Sequence, residues 1–281
     1  PITKAAKRKA PPTTRSPDSK RPATTAPKKS RAKTSSTSVD TAQLRNDRLG
    51  TLVRELCSKF DTADSWEEFI NEFRGPSYLS QDLDHVEHPA VELLRHWRDH
   101  GVPAETTSPP WTVEQRDSCV ARGCHRSANQ HSDFLREEMA TFMENRFWMV
   151  LPYELVRELE ELMLWPAAVK EERERKPRLL CDHSWDWGWD SLNDSTDPHS
   201  PPEAMQFGGA LLRILYLIRH ANPKFGPVKA SKHDVKDGFY RMFLRARDLL
   251  RLAVILPKYD GEPQLIGIPM SCTMVWTEPP P

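Results

Sequence analysis

The chain has 281 residues, enough for one or two domains with a sizeable hydrophobic core. Formal charge is zero, with 40 Lys plus Arg against 40 Asp plus Glu, but residues 1–39 hold eleven Lys or Arg and one acid, Asp18, so a segment of net +10 is joined to a remainder of net −10. The most apolar stretch, 210–218, is interrupted by Arg213 and falls well short of the ~20 residues a membrane-spanning helix needs, so no membrane partner is expected.

Residues 1–40 are rich in Pro, Thr, Ser, Ala, Lys and Arg, and cannot bury enough apolar area to offset the entropy of ordering, so a disordered basic tail is predicted. Its clusters Lys7-Arg8-Lys9, Lys20-Arg21 and Lys28-Lys29-Ser30-Arg31 resemble nuclear-import signals, and they would also bind phosphate backbones by counterion release. A solvated, nonspecific arm is the bland alternative. The five cysteines, Cys57, Cys119, Cys124, Cys181 and Cys272, are odd in number and scattered, and no apolar leader opens the sequence. That pattern points to a reducing intracellular compartment. An opening Pro1 and a closing proline run suggest a fragment.

A helical region is expected over 41–130. Leu49, Leu52, Val53, Leu56 and Phe60 recur at the spacing of one helical face. Ser65-Trp66-Glu67-Glu68 reads as a capping box for a second helix ending at Gly75, and a third runs from near Pro89 to Gly101. The Pro- and Thr-rich stretch 103–111 reads as a connection. Beyond it, a helix with Ser132 as N-cap precedes a strand-like run at 147–151. The segment 202–221 is apolar nearly all round and is predicted to be a helix packed inside a domain. Two β-rich runs, 252–256 and 265–268, flank a turn rich in Pro, Asp and Gly, as a hairpin requires. The class is α+β, with helices early and strands late.

The segment 232–240, KHDVKDGFY, places Asp234 and Asp237 three apart, followed by Gly238, Phe239 and Tyr240. It reads as a strand ending in a turn. A carboxylate at a strand end can hold Mg²⁺, a hard cation that bridges to substrate phosphates, and a glycine beside it lets the backbone approach a ligand closely. Alone, an Asp-x-x-Asp-Gly sequence is more often a surface turn.

Asp234 to Tyr240 resembles the first palm motif of retroelement reverse transcriptases. Other motifs are similar in order: Lys176-Pro177-Arg178-Leu179-Leu180-Cys181-Asp182 in the fingers, Leu192-Asn193, the hairpin, and Met274-Val275-Trp276. The resemblance extends over 134–281. It implies an incomplete fingers/palm of a right-hand polymerase over 131–281, preceded by the helical region and the tail. It implies that Asp234 holds catalytic Mg²⁺, that Asp237 and Gly238 offer backbone N–H groups to the triphosphate, and that Phe239 excludes a ribose 2′-OH. Arg178 would reach the triphosphate from the fingers, and Met274 would lie against the deoxynucleotide. The partners implied are a template and primer.

Two departures stand out. Val275 replaces the family's Gly and Pro279 its Ser, and the chain contains no Tyr-x-Asp-Asp to supply the remaining metal carboxylates. An inactive fragment is therefore expected; the alternative is a non-enzymatic nuclear protein that binds nucleic acid or another protein. Cys119, Cys124, His125 and His131 are metal-capable residue types at a spacing unlike a zinc knuckle or finger, and buried or incidental roles suit them better. Trp185, Trp187 and Trp189 could stack on bases or simply pack, and the intervening Asp residues would repel phosphates. Deleting residues 1–39 is expected to abolish nuclear accumulation in cells and to flatten the salt dependence of nucleic-acid binding. No change in either would show a tail that is only solvated.

Overall fold

A computed structural model describes residues 40–75, 83, 85–196, 210–229, 231 and 238–273. Helix α1 spans Arg48–Thr62 and buries Leu49, Val53, Leu56 and Phe60, the stripe expected from spacing. Helix α2, Trp66–Arg74, starts where Ser65 accepts a hydrogen bond from the Glu68 N–H. Its reciprocal bond is displaced by one residue, because Glu68 accepts from the Asp64 N–H. Gly75 ends it at φ 68, a left-handed conformation that favours glycine. Helix α3 is Val91–His100.

Helix α4, Val113–Arg122, was not evident from apolar spacing, yet Thr112 and Gln115 form a complete capping box at its start. Short α5, Arg126–Gln130, leads into α6, Ser132–Glu144, whose N-cap is His131 rather than Ser132. Strand β1, Trp148–Pro152, runs into the single turn α7, Tyr153–Val156. Strands β2, Leu164–Glu172, and β3, Arg175–Cys181, form a hairpin. After α8, Leu192–Ser195, and α9, Ala210–His220, a 3₁₀ segment Ala246–Leu252 feeds β4, Ala253–Ile255, and β5, Leu265–Pro269.

The result is a mixed α+β fold around one five-stranded sheet in the order β1-β5-β4-β2-β3. β2 and β4 are parallel and the other neighbours antiparallel. Strands are not confined to the end of the chain: β1, β2 and β3 precede the 252–268 hairpin and are joined to it in space. One hydrophobic cluster takes in α1 and α2 (Val53, Phe69), α6 (Leu135, Met139) and the sheet (Trp148, Trp165, Ile266). The stretch 103–111 is tied down. Val102 donates to Phe243 O at 2.7 Å and accepts from Arg245 N at 2.9 Å, and Trp111 packs against Trp165 with ring centroids 5.2 Å apart.

One expectation is overturned. Residues of α9 are not packed inside the fold: Leu211, Leu212, Leu215 and Leu217 stay more than half exposed. Apolar composition indicates a surface that gains from burial, but it cannot specify what buries it. Residues 1–39 and 202–209, the latter the start of that expected helix, lie outside the described residues.

Three elements meet at a buried ion cluster. Arg136 of α6 donates to Glu262 at 2.7 and 2.9 Å and to Asp47 at 3.0 Å, with side chains 6% and 1% exposed for Arg136 and Glu262. Asp47 caps α1 through the Gly50 N–H, and Glu262 also accepts from the Arg45 N–H. Removing Glu262 leaves the buried Arg136 guanidinium with Asp47, a partly exposed carboxylate, as its one remaining partner in the cluster. Glu262→Ala is expected to cost about 3–5 kcal/mol, read as a lower denaturant midpoint; an unchanged midpoint would contradict this role.

Candidate functional site

The β2–β3 hairpin carries Arg178, in register opposite Lys170. Directly opposed residues share a face of the sheet, so the two cationic side chains leave neighbouring backbone positions, and Glu172 answers the guanidinium. Arg178 is 45% exposed and reaches Glu172 at 3.0 Å, Lys176 pairs with Glu138, and Lys170 is exposed. Lys170 was missed in the sequence because the acid-rich run that follows it hides the cross-strand pairing. A register shift between Lys170 and Glu172 marks an irregularity in the strand there.

Gly238–Arg241 is a 3₁₀ turn. Tyr240 stacks on Phe147 with centroids 4.5 Å apart and planes 10° apart, and its carbonyl accepts from Ser271 Oγ at 3.0 Å. Residues 242–244 then run beside 270–272: Cys272 N donates to Met242 O and Leu244 N to Met270 O, both at 3.1 Å. Gly238 and Phe239 thus sit at a turn held against the sheet beyond the end of β5, and both are half-buried. Asp234, Asp237 and Met274 lie outside the described residues, as does 275–281.

The strand directions place Arg178 and this turn apart. β2 runs parallel to β4 and antiparallel to β3, so Lys170 and Arg178 lie toward the end of the sheet opposite the β5 terminus, and on its other edge. The structure does not bring Arg178 together with Gly238 and Phe239.

The metal-capable cysteines and histidines disperse. Cys119 is fully buried in α4, and Cys124 Sγ lies 3.1 Å from Asn129 Oδ1. His125 bonds Asp182 at 2.9 Å and His131 bonds Glu171 at 2.8 Å, each using Nε2. Among the described residues no three His, Cys, Asp or Glu side chains gather as a metal site. Desolvation raises the thiols of Cys57, Cys119 and Cys181 to about 12 and that of Cys124 to about 11, so these four are poor nucleophiles at neutral pH.

The three tryptophans pack rather than stand free. Trp187 donates to Leu164 O at 3.0 Å, Trp189 meets Trp111 edge-on at 5.4 Å, and Trp185 lies under the Arg122 guanidinium at 3.9 Å. Beneath them, Asn193 N donates to His183 O at 3.2 Å and Asn193 Nδ2 to Ser184 Oγ at 2.7 Å, so the Leu-Asn pair clasps the loop that follows β3.

No family model matches the sequence, and no curated protein matches it.

His183 is fully buried, edge-on to Trp165, with Nδ1 3.3 Å from Thr273 Oγ1. Desolvation lowers its pKa from 6.5 to about 4. Its folded-state value is depressed, so between about pH 6.5 and pH 4 the unfolded chain binds the proton that the folded chain refuses, and stability falls as pH falls. His183→Asn is expected to flatten that fall in thermal denaturation. An identical pH profile for the variant would remove His183 as its source.

Proposed function

We propose that this chain is the amino-terminal and fingers/palm portion of a retrotransposon reverse transcriptase, an RNA-directed DNA polymerase, without polymerase activity as it stands. The observation that carries this most is the Lys170/Arg178 pair. Two cationic residues are partners in register across a hairpin, on residues that include the fingers segment of the ordered motifs, and with Arg178 released from Glu172 they would offer a triphosphate two points of contact. The hairpin belongs to the same sheet as β4 and β5, which follow KHDVKDGFY in sequence.

In this role Asp234 holds Mg²⁺, Asp237 and Gly238 present N–H groups, Phe239 tests the sugar, and Met274 supports the deoxynucleotide. Template and primer would occupy the groove between fingers and palm. With Arg178 and Gly238 at opposite ends of the sheet, a bound nucleotide would require the hairpin to close over residues 232–239. Two-metal phosphoryl transfer needs further carboxylates, which in the resembling family come from Tyr-x-Asp-Asp, a sequence these 281 residues do not contain. A second role, a non-enzymatic nuclear protein that binds nucleic acid or a protein partner, is favoured by the tail of net +10 and by the exposed apolar face of α9.

Binding of a fluorescent deoxynucleoside triphosphate, with and without Mg²⁺, tests the polymerase reading. Arg178→Gln is expected to weaken binding roughly tenfold in both conditions, the loss of one charge-assisted hydrogen bond. Asp234→Asn should erase only the Mg²⁺-dependent part. Absence of triphosphate binding to the unmodified chain, or indifference to both substitutions, would leave the non-enzymatic role standing.

A further inference from the structure

From Asp182 to Gly209 the sequence holds six Asp or Glu and no Lys or Arg, whereas residues 1–39 hold eleven Lys or Arg, one acid and six Pro. We propose that the face built by Trp185, Trp187 and Trp189 with Asp186, Asp190 and Asp194 is a docking surface for this chain's own residues 1–39. The docked segment is thereby withheld from nucleic acid. This does not depend on descent from a polymerase and uses neither Lys170 nor Arg178.

The loop that carries this face is held from beneath by the Trp187 bond to Leu164 O, the Asn193 bond to Ser184 Oγ, and the contact of Trp189 with buried Trp111. Trp187 and Trp189 stack with ring centroids 6.4 Å apart and planes 19° apart. All three indoles are half-buried, so each keeps part of its surface in water, while Asp186, Asp190 and Asp194 are exposed. The result is a supported strip of aromatic surface rimmed by carboxylates.

Asp186 accepts from the Gly188 N–H at 2.6 Å and Asp194 from Ser191 Oγ at 2.6 Å, both neutral donors, and none of the three rim aspartates has an ion pair among the described residues. Asp182 differs, being bonded to His125 at 2.9 Å. Arg122 brings one guanidinium to the strip, 3.9 Å from the Trp185 ring centroid and 5.5 Å from that of Trp187, and donates to Gly123 O at 2.9 Å. One guanidinium against three carboxylates leaves the rim acidic. Arg122 also shows what the strip accepts, a cation laid on an indole face.

Phosphates would meet carboxylates here, so the strip disfavours nucleic acid and favours a cationic segment. Residues 1–39 supply one in which Arg21-Pro22 and Pro27-Lys28 set a cation beside a proline. Proline-rich segments dock extended on aromatic surfaces, and their rigidity keeps the entropy of ordering low. Their Lys and Arg would meet the rim. Because the segment belongs to the same chain, its effective concentration is on the order of millimolar and weak contacts suffice. About twenty residues reach about 70 Å when extended, more than the width of a domain of this size.

The test uses the full chain carrying a benzophenone amino acid at Ala23. Irradiation at low salt is expected to give adducts within 182–194 of the same molecule, and raised salt should remove them. Asp186→Asn, Asp190→Asn and Asp194→Asn together keep the acceptors that Gly188 and Ser191 use. They should cut the adducts roughly fivefold, since each exposed ion pair is weak and three act together. The same triple variant should bind a single-stranded oligothymidylate roughly fivefold more tightly, because the segment is released.

Glu154→Gln, Glu158→Gln and Glu160→Gln remove as much charge from exposed acids elsewhere, and should leave the adducts in place and tighten oligonucleotide binding less. Adducts scattered over the body, or a yield indifferent to salt and to the aspartate triple, would overturn the docking surface. Adducts that join two copies and rise with protein concentration would overturn the intramolecular contact. Loss of the adducts with oligonucleotide binding unaltered would overturn the withholding of the segment from nucleic acid.

Discussion

The Arg136–Glu262 pair is the constraint on which the rest of the arrangement depends. Glu262 lies in the turn between β4 and β5, Arg136 in the middle of α6, and Asp47 at the first turn of α1. Tyr259 lies against the cluster, with the Arg136 guanidinium 4.6 Å from its ring centroid and its hydroxyl donating to Ser132 O at 2.9 Å. Burying these charges is costly unless each meets its partners, so the pairing tolerates few alternative placements of the three elements. It therefore sets where α1 and α6 cross the sheet.

Buried arginines repeat this use of a charged fork to hold backbone. Arg116 of α4 donates to the carbonyls of Leu162 at 3.0 Å, Arg157 at 2.8 Å and Glu160 at 2.7 Å, gathering the turn before β2. Arg251 joins Glu161 to the carbonyl of Ala104 at 3.0 Å, and Asp248 accepts from the Ala104 N–H at 3.1 Å. The stretch from 102 to 105 is thereby locked against the 3₁₀ segment before β4.

The candidate site is divided in space. On the hairpin, Lys170 and Arg178 are exposed and at a distance from Gly238 and Phe239, so a nucleotide site there needs a movement.

Much of the local structure was legible in the sequence. The stripe Leu49, Val53, Leu56 and Phe60 predicted α1, Ser65 and Gly75 bounded α2, and the Pro, Asp and Gly turn announced the β4–β5 hairpin, because these signals act over a few residues. What only the tertiary structure decided was non-local: the insertion of β4 between β5 and β2, the pairing of Lys170 with Arg178, the dispersal of Cys119, Cys124, His125 and His131, the exposure of α9, and the meeting of Arg74, Arg98, Arg245 and Arg247 around one cleft. Sequence spacing governs neighbours within a turn or a strand. Contacts between residues a hundred or more positions apart follow from which buried charges and apolar faces can be satisfied together, and that is a property of the whole fold.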